Sequence, residues 1–532
     1  MKKPICLIIP PSVFLLDERV FMTLGILRVA AMLEQAGYAV EMLDLSGFEN
    51  YAEVARAHAM NSEACIFGLT ATTPQLPAAT SVCDAIRKAR PDAKIILGGP
   101  HVTLVNAARK QEMKQGLSGR ASRAFEVLAD YFDVLVAGDG EEAIFQAIAP
   151  GTPKLVDADD PGSQMFLTNA SLSALPLPAR HLVDVDSYHY WIEGVRAISM
   201  IAQLGCPFGC GFCGGRLSPM LRRVRMRSVE KIIEEMVHLN RSYGVTGFMF
   251  YDDELNVNPK MTAMMRLIAR TAKDLNVKFR LRGFIKAELF TDEQAEAMYE
   301  AGFRWILVGF ESGSPRILRN INKRATIEEN TRCVEIARRH HLKVKALMSI
   351  GHPGESRETV LETYHWLLKM RPNDFDATII TTYPGSPYYD NAVPHPEQEG
   401  VWVHTAHGDR LYSREVDYTK VADYYKGDPD GGYTSYVFTD YLTANELVEL
   451  REFMEKELRR ILQIPYNPSA AAARYEHSMG QFGARLPSCI LKKSSDMPPE
   501  VPANSRNWVQ LGQIANIPDT IDEVESQEPP AA

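Results

Sequence analysis

Three closely spaced cysteines are the residues of this sequence best suited to do chemistry. The segment QLGCPFGCGFCGG places Cys206, Cys210 and Cys213 directly after an apolar run that predicts a strand. Three thiolates at this spacing can bind three irons of a cubane cluster and leave the fourth iron open. A molecule bound to that open iron could accept an electron from the cluster.

Zinc is the main alternative ligand for these thiols, because paired cysteines at short spacing are also typical of zinc sites. A structural zinc site takes four ligands, and no fourth Cys or His lies nearby in the sequence. A zinc-stapled binding protein without enzymatic activity therefore stays open as an alternative. The other five cysteines are predicted to be core, structural or incidental residues: Cys6, Cys65, Cys83, Cys333 and Cys489.

The composition is that of a globular protein with two or three domains. The chain has 532 residues, of which 45% are hydrophobic and 23% charged, and its net charge is −9. No long basic stretch indicates a nucleic-acid partner, and no run of about 18 apolar residues predicts a membrane span. Pro10 and Pro11 interrupt the first apolar run, which favours a buried strand over a signal peptide. A cytoplasmic location is therefore expected.

One basic cluster departs from the acidic average. It comprises Arg216, Arg222, Arg223, Arg225 and Arg227. Two interpretations remain open from the sequence: a solvated helix approach, or a contact to phosphate or carboxylate groups.

Residues 1–150 alternate short apolar runs with helical stretches, which predicts a doubly wound parallel sheet. Such sheets bind ligands at the carboxyl ends of their strands. Small and polar residues occupy those ends here, and the candidates for ligand binding are Thr70, Thr72, Gly98, Gly99, His101, Gly138, Gly140 and Glu141. Tight βα turns without a ligand are the alternative.

The rest of the chain divides into four predicted segments. A Pro-, Asp- and Ser-rich linker spans 151–190, and six βα units over 191–395 predict an open, partial barrel rather than a closed eight-unit barrel. Residues 396–493 are predicted to form a small helical region on the substrate side, with one helix that begins at a capping box of Thr443 and Glu446. The tail 494–532 is predicted to be disordered.

At the cysteines the sequence resembles a known family. CPFGCGFC resembles the CxxxCxΦC motif of the radical S-adenosylmethionine (SAM) superfamily, with Phe212 in the aromatic position. The resemblance implies a [4Fe-4S] cluster held by Cys206, Cys210 and Cys213, with SAM on the open iron. YDDELNVN and GFESGS resemble the acidic and GxESG turns of that family, and further SAM contacts are then expected from Asp253, Glu254, Arg282, Glu311 and Ser312. A helix cap for an acidic-turn carboxylate and a barrel salt bridge for Arg282 remain the alternatives.

The N-terminal unit resembles the cobalamin-binding domain found in front of many such barrels, through GGPHVT and AGDGEEAI. The DxHxxG motif with a cobalt-ligating histidine is absent, and Arg19 stands where that histidine would be. The resemblance therefore implies base-off cobalamin without a histidine ligand, or a domain that has lost its corrin. His101 is interpreted as a pocket-lining or hydrogen-bonded residue rather than a cobalt ligand.

Methyl transfer to an unactivated centre of a small molecule is the function that this resemblance favours. The same cofactors could instead serve an oxidative ring closure, as in the anaerobic tetrapyrrole cyclase that the architecture also resembles. Methylthiolation is disfavoured, because Cys6, Cys65 and Cys83 lie on separate elements and the C-terminus is acidic. The chemistry implies flavodoxin or ferredoxin as electron donor, and the candidate substrate-lining residues are Tyr383, Tyr388, Tyr389, His395 and Trp402.

Overall fold

The computed structural model describes residues 3–15, 18–188, 190–425, 427 and 432–464. The strands are β1 Ile5–Ile9, β2 Val40–Asp44, β3 Ile66–Thr70, β4 Lys94–Gly98, β5 Val134–Gly138, β6 Leu155–Ala158, β7 Tyr190–Ile192, β8 Val195–Met200, β9 Gln203–Leu204, β10 Arg225–Met226, β11 Gly247–Phe250, β12 Arg280–Phe284, β13 Phe303–Glu311, β14 Lys343–Ile350, β15 Asp374–Ile379, β16 Val393–Pro394, β17 Val401–Ala406, β18 Asp409–Arg414 and β19 Val437–Thr439. The helices are α1 Leu24–Gln35, α2 Tyr51–Asn61, α3 Leu76–Ala89, α4 Pro100–Lys114, α5 Arg120–Tyr131, α6 Gly140–Ile148, α7 Asn169–Ala174, α8 Pro219–Arg222, α9 Val229–Tyr243, α10 Met261–Asp274, α11 Asp292–Ala301, α12 Pro315–Ile321, α13 Ile327–Arg339, α14 Arg357–Met370, α15 Pro387–Asp390 and α16 Ala444–Leu462.

The first sheet is parallel throughout and has the order β2-β1-β3-β4-β5-β6. Strands such as β1, with the run ICLII, are buried on both faces because helices cover the sheet on either side. The predicted doubly wound sheet is thus confirmed. A sixth strand, β6, lies in the segment that the sequence suggested as a linker, and it pairs with β5 through Leu135 and Leu155.

The second sheet has the order β15-β14-β13-β12-β11-β8-β7 and forms the predicted open, partial barrel. Six of its strands are parallel, and β7 adds an antiparallel edge through the pair Trp191 and Arg196. The sequence missed β7 because it has only three residues, of which Trp191 is exposed.

The C-terminal region contains more than the predicted helix. Strands β16, β17, β18 and β19 form an antiparallel sheet that carries no long apolar run. The capping box of Thr443 and Glu446 begins α16 as predicted. The predicted disordered tail and Cys489 lie outside the described residues.

Buried ion pairs and rings join the two large domains. Asp139, at the turn after β5, pairs with Arg225 of β10 at 2.5 Å. On the other side of the interface, the Arg120 guanidinium of α5 lies 3.7 Å from the ring centroids of both Tyr389 and Trp402. In the described part of the chain, no helix is both long and apolar enough to cross a membrane.

Candidate functional site

The cysteine loop runs from the end of β9 to α8, and backbone hydrogen bonds to α8 and α12 hold it in place. The amide of Cys206 donates to Leu221 O at 3.0 Å, and the amide of Gly211 donates to Ile321 O at 2.7 Å. Burial raises the pKa of all three thiols, and that of Cys213 reaches about 12. The loop therefore holds neutral thiols until a metal ionises them, as thiolate-bound iron does.

Arg216 fastens this loop by donating to three of its carbonyl groups. Its guanidinium bonds Cys206 O at 3.1 Å, Gly214 O at 3.2 and 3.3 Å, and Phe208 O. Arg222 adds a bond to Pro207 O at 3.0 Å. Both arginines therefore hold the loop, Arg216 from a buried position and Arg222 from an exposed one.

The other members of the basic cluster have different partners. Arg227 pairs with Glu235 at 2.6 Å, and Arg225 pairs with Asp139. Arg223 lies over the ring of Phe166 at 5.8 Å. Of the two interpretations of this cluster, carboxylate contact is correct for Arg225 and Arg227, and the carboxylates belong to the protein itself.

The three carboxylates of the acidic turn after β11 have different surroundings and different partners. Asp252 is buried and accepts the amides of Ala202 and Gln203, so it caps the backbone after β8. Asp253 is exposed and lies near enough to Arg216 for electrostatic interaction. Burial raises the pKa of Glu254 to about 7, and its Oε2 is buried without a hydrogen-bond partner. Glu254 is therefore the carboxylate with capacity left for an incoming cation.

The GFESGS turn at the end of β13 is held in place on both sides. Glu311 has a positive φ of 65° and bonds Lys323 at 3.1 Å and Ser349 at 2.8 Å. Ser312 Oγ lies 3.1 Å from Thr363 Oγ1 and accepts the amide of Ser314. The hydroxyl of Ser312 thus already fixes the turn.

A chain of hydrogen bonds leads from Glu311 back to the cysteine loop. Ser349 Oγ lies 2.8 Å from His352 Nε2, and His352 Nδ1 lies 3.3 Å from the Tyr388 hydroxyl. Burial lowers the pKa of His352 to about 3, so its ring is neutral. Phe212 packs against the same ring at 5.4 Å. The aromatic position of the cysteine motif therefore rests on the strand-end turn after β14.

Arg282 lies in the middle of β12, against Trp305 at 5.4 Å. It is buried, and its Nε and Nη2 atoms have no hydrogen-bond partner. Its described surroundings, which include Tyr190, lie along the strands rather than at the carboxyl ends where the cysteine loop sits.

An apolar cavity of about 270 Å³ opens at the carboxyl ends of the first sheet. Seven of the eight N-terminal candidates line it: Thr70, Thr72, Gly98, Gly99, Gly138, Gly140 and Glu141. A Cβ atom at Gly99 would lie 2.5 Å from Thr70 Oγ1, and φ there is +95°, so only glycine fits. At Gly25 of α1, which also lines the cavity, a Cβ atom would meet nothing within 4 Å. A slot walled by glycines and aliphatic side chains fits a flat, mainly apolar group such as the nucleotide base of cobalamin.

His101 and Arg19 are both engaged within the protein. His101 is buried, its Nδ1 lies 3.0 Å from Thr73 Oγ1, and burial lowers its pKa to about 3. Arg19 pairs with Asp44 at 3.3 Å and donates to Ser46 O at 3.0 Å. Neither arrangement offers a ligand to a metal in the cavity.

A second cavity, of about 630 Å³, lies between the two domains. It is lined from the first domain by residues such as Thr72, which follows β3, and Leu104 of α4, and from the barrel by Tyr251 and Tyr383. Tyr383 and Leu104 also flank Gly214 of the cysteine loop. The carboxyl ends of both sheets therefore face one space.

Of the five predicted substrate-side residues, Tyr383 lines this cavity. The other four have different contacts: Tyr388 lies against His352 and Gly211, Tyr389 and Trp402 enclose Arg120, and His395 packs on Tyr412. The sequence did not single out Phe14, Phe21, Tyr251, Tyr424 and Tyr425, which also line the cavity.

Residues 200–367 match the radical SAM superfamily, and residues 18–129 match the B12 binding domain. The chain therefore contains a radical SAM domain and a B12-binding domain. These two domains imply a [4Fe-4S] cluster, SAM and cobalamin as cofactors, as the motifs predicted. The cysteine loop and the acidic turn both lie within the radical SAM domain.

Proteins with different names are similar to this chain. The chain is 27% identical to an uncharacterized methyltransferase of Pyrococcus horikoshii over 73% of this chain and 83% of that protein. It is 25% identical to the anaerobic magnesium-protoporphyrin IX monomethyl ester cyclase of Cereibacter sphaeroides, over 67% of this chain and 58% of the cyclase.

Among solved structures, the fold resembles the radical SAM methyltransferase TsrM from Kitasatospora setae, with cobalamin and a [4Fe-4S] cluster bound. The TM-score is 0.58 and the sequence identity 19%, and the match covers 77% of this chain and 82% of that chain. This likeness supports the arrangement of a doubly wound domain in front of a partial barrel.

Proposed function

We propose that this radical SAM protein is a cobalamin-dependent methyltransferase that acts on an unactivated centre of a small molecule. The observation that supports it most is the interdomain cavity, which is bordered by the glycine-walled slot on one side and by the cysteine loop on the other. A substrate in that space would meet both cofactors without leaving the protein.

In this proposal, Cys206, Cys210 and Cys213 hold the cluster. When bound, the cluster and SAM supply a radical that removes a substrate hydrogen, and cobalamin supplies the methyl group. Arg216 and Phe212 keep the cysteine loop in place.

For SAM, the carboxylates of Glu254 and Asp253 receive the ammonium group. Glu311 positions the neighbouring turn through Lys323 and Ser349. We assign Ser312 and Arg282 supporting roles, since their described contacts are within the turn and within the barrel.

For cobalamin, the slot lined by Thr70, Thr72, Gly98, Gly99, Gly138, Gly140 and Glu141 takes the nucleotide tail. His101 contacts Thr73, which lines the neighbouring interdomain cavity, and we assign it a supporting role there. Because His101 is not among the residues that line either cavity, and Arg19 stands where a cobalt-ligating histidine would be, cobalamin would bind base-off and without a histidine ligand.

The proposal includes a first domain that extends through β6 to about residue 158, a core at 191–395, and a cytoplasmic location that keeps the thiols reduced. It also includes flavodoxin or ferredoxin as the electron donor.

The test uses anaerobically reconstituted protein, SAM with an isotopically labelled methyl group, and metabolite extracts from cells that lack the gene. Appearance of the label in a metabolite that gains one methylene supports the proposal. Accumulation of 5′-deoxyadenosine with no labelled product contradicts it. The triple variant Cys206→Ala, Cys210→Ala, Cys213→Ala is the control and should give neither.

The similarity to the anaerobic cyclase favours one second candidate, an oxidative ring closure in the same cavity. The product mass separates the two functions. A loss of hydrogen or a gain of oxygen, without the labelled methyl group, would support ring closure.

A further inference from the structure

A group of three metal-binding side chains lies at the opposite end of the first sheet from the cavities. Cys6 is the second residue of β1, Glu41 is the second residue of β2, and the two are paired across the strands. His58 comes from the last turn of α2, which packs over them. Because the strands are parallel, this is the amino-terminal edge of the sheet, and the cofactor slot is at the carboxyl edge.

The ligand atoms of this group converge closely. Cys6 Sγ lies 3.5 Å from His58 Nε2, and His58 Nε2 lies 3.1 Å from Glu41 Oε2. All three atoms lie within 4.8 Å of one another. Tetrahedral zinc, with bonds of about 2.3 Å to sulfur and about 2.0 Å to nitrogen and oxygen, separates its ligand atoms by roughly 3.3 to 3.6 Å. The two distances that join His58 Nε2 to Cys6 Sγ and to Glu41 Oε2 are within a few tenths of an ångström of that geometry.

Hydrogen bonds among these three side chains cannot satisfy all of them at once. Both close contacts fall on the same ring nitrogen, which carries either a proton or a lone pair. It cannot donate to Glu41 and also accept the thiol proton of Cys6. A divalent cation takes a lone pair from each of the three atoms and satisfies them together.

A hydrogen-bonded outer layer orients the carboxylate. Ser62 Oγ donates to Glu41 Oε2 at 2.6 Å and accepts the amide of Ala64 at 2.9 Å. Ligating carboxylates in metal sites are commonly held in this way. Cys6 is fully buried, whereas the side chains of His58 and Glu41 are 21% and 30% exposed. Water can therefore reach a fourth coordination position.

We propose that Cys6, Glu41 and His58 bind one zinc-class divalent cation, separate from the cysteine loop. The mixed sulfur, nitrogen and oxygen donor set suits zinc better than calcium or magnesium, which prefer oxygen ligands. The three ligands come from β1, β2 and α2, so the cation braces the edge of the cobalamin-binding domain. Its binding free energy adds to the stability of that domain.

The experiment measures bound zinc in the full chain with its iron–sulfur cluster reconstituted, so that the cysteine loop is already occupied. After incubation with zinc and gel filtration, zinc and iron are quantified by mass spectrometry. We expect one equivalent of zinc in the wild type and in Cys65→Ala, a matched control whose thiol contacts Lys3 and Arg90 instead. Cys6→Ser and His58→Gln should lose the zinc and keep the iron.

Two results would overturn the proposal. One is a wild type that retains no more zinc than His58→Gln, and the other is a Cys65→Ala variant that loses as much zinc as Cys6→Ser does. Thermal unfolding guards against a variant that fails to fold, since zinc should raise the melting temperature of the wild type and leave that of His58→Gln unchanged. Cobalt(II) bound to the triple variant Cys206→Ala, Cys210→Ala, Cys213→Ala should show a thiolate-to-cobalt charge-transfer band. The additional change Cys6→Ser should abolish that band. None of these measurements depends on methyl transfer.

Discussion

At the scale of single residues, Arg216 shows how a charged side chain can hold a loop of metal-binding residues through its backbone. Its guanidinium donates to the carbonyl groups of Cys206, Phe208 and Gly214, which fixes the curvature that brings the cysteines together. All of these bonds end on the cysteine loop itself, so loss of this side chain should loosen the loop rather than unfold the domain.

We predict that Arg216→Ala lowers the iron and sulfide retained after anaerobic reconstitution at least threefold, with a melting temperature close to that of the wild type. Arg241→Ala, at an exposed position near the end of α9, is the control and should bind iron normally. Full iron content in Arg216→Ala would show that the backbone alone sets the loop.

Glu254 gives the site a pH dependence. Because burial raises its pKa to about 7, the carboxyl is protonated below that pH in the SAM-free protein and cannot pair with an ammonium group. SAM binding should then weaken as the pH falls from 7 to 5.5, approaching tenfold per pH unit. The dissociation constant of SAM, measured by equilibrium dialysis of the reconstituted protein, checks this.

Glu254→Gln should bind SAM weakly and show a flat profile over the same range. Glu234→Gln removes an exposed carboxylate on α9 and should keep the wild-type slope. A wild-type dissociation constant that stays constant between pH 5.5 and 7 would remove Glu254 from the ammonium site.

The residues that the sequence predicted and those that it missed differ in a physical way. Cys206, Cys210 and Cys213 are neighbours in sequence, so their spacing alone predicts a shared metal. The bonds of Arg216 to backbone carbonyls and of His352 to Ser349 and Tyr388 depend on the path of the folded loops. No spacing rule encodes such contacts, although Arg216 follows the last cysteine by three residues.

At the scale of elements, α1 forms one wall of the glycine-lined slot. Gly25 lies in its first turn, where an added side chain would enter open space without backbone strain. We predict that Gly25→Leu weakens cobalamin binding at least tenfold while stability stays equal or rises, because leucine favours helix by up to about 1 kcal/mol over glycine. Cobalamin titration followed by absorbance and thermal unfolding measure the two effects.

Ala36→Leu, at the exposed end of the same helix, should leave both properties unchanged. Gly25→Ala should fall between the wild type and Gly25→Leu. If Gly25→Leu bound cobalamin as tightly as the wild type, the slot would not hold the nucleotide tail.

Elements with long apolar runs were predictable, and short paired ones were not. The run ICLII predicts β1 with its observed bounds, because a fully buried parallel strand is apolar on both faces. By contrast, β6, β7 and the C-terminal sheet are short or half exposed, and their formation depends on partner strands elsewhere in the chain. Their sequences alone resemble loops.

At the scale of the whole molecule, the function proposed here requires two sheets whose carboxyl ends face each other. Contacts between segments that are far apart in the sequence maintain that arrangement. The core of the first domain also includes Tyr389, Tyr418 and Tyr424, which follow the last strand of the barrel. Thr80 of α3 donates to Thr419 O at 3.0 Å in the same interface. The C-terminal segment therefore binds the first domain to the barrel around the cavity.

Arg120 is the strongest single test of this coupling. It is buried between the rings of Tyr389 and Trp402, and it donates to Tyr389 O at 2.5 Å. A desolvated cation–π contact contributes about 2 kcal/mol, and a charged hydrogen bond adds about 1.5 to 3 kcal/mol. We predict that Arg120→Ala destabilises the interface by about 3.5 to 5 kcal/mol, so that cobalamin is released at a lower temperature than the barrel unfolds. In the wild type and in the exposed control Arg123→Ala, release and unfolding should coincide, and coincidence in Arg120→Ala as well would place the coupling elsewhere.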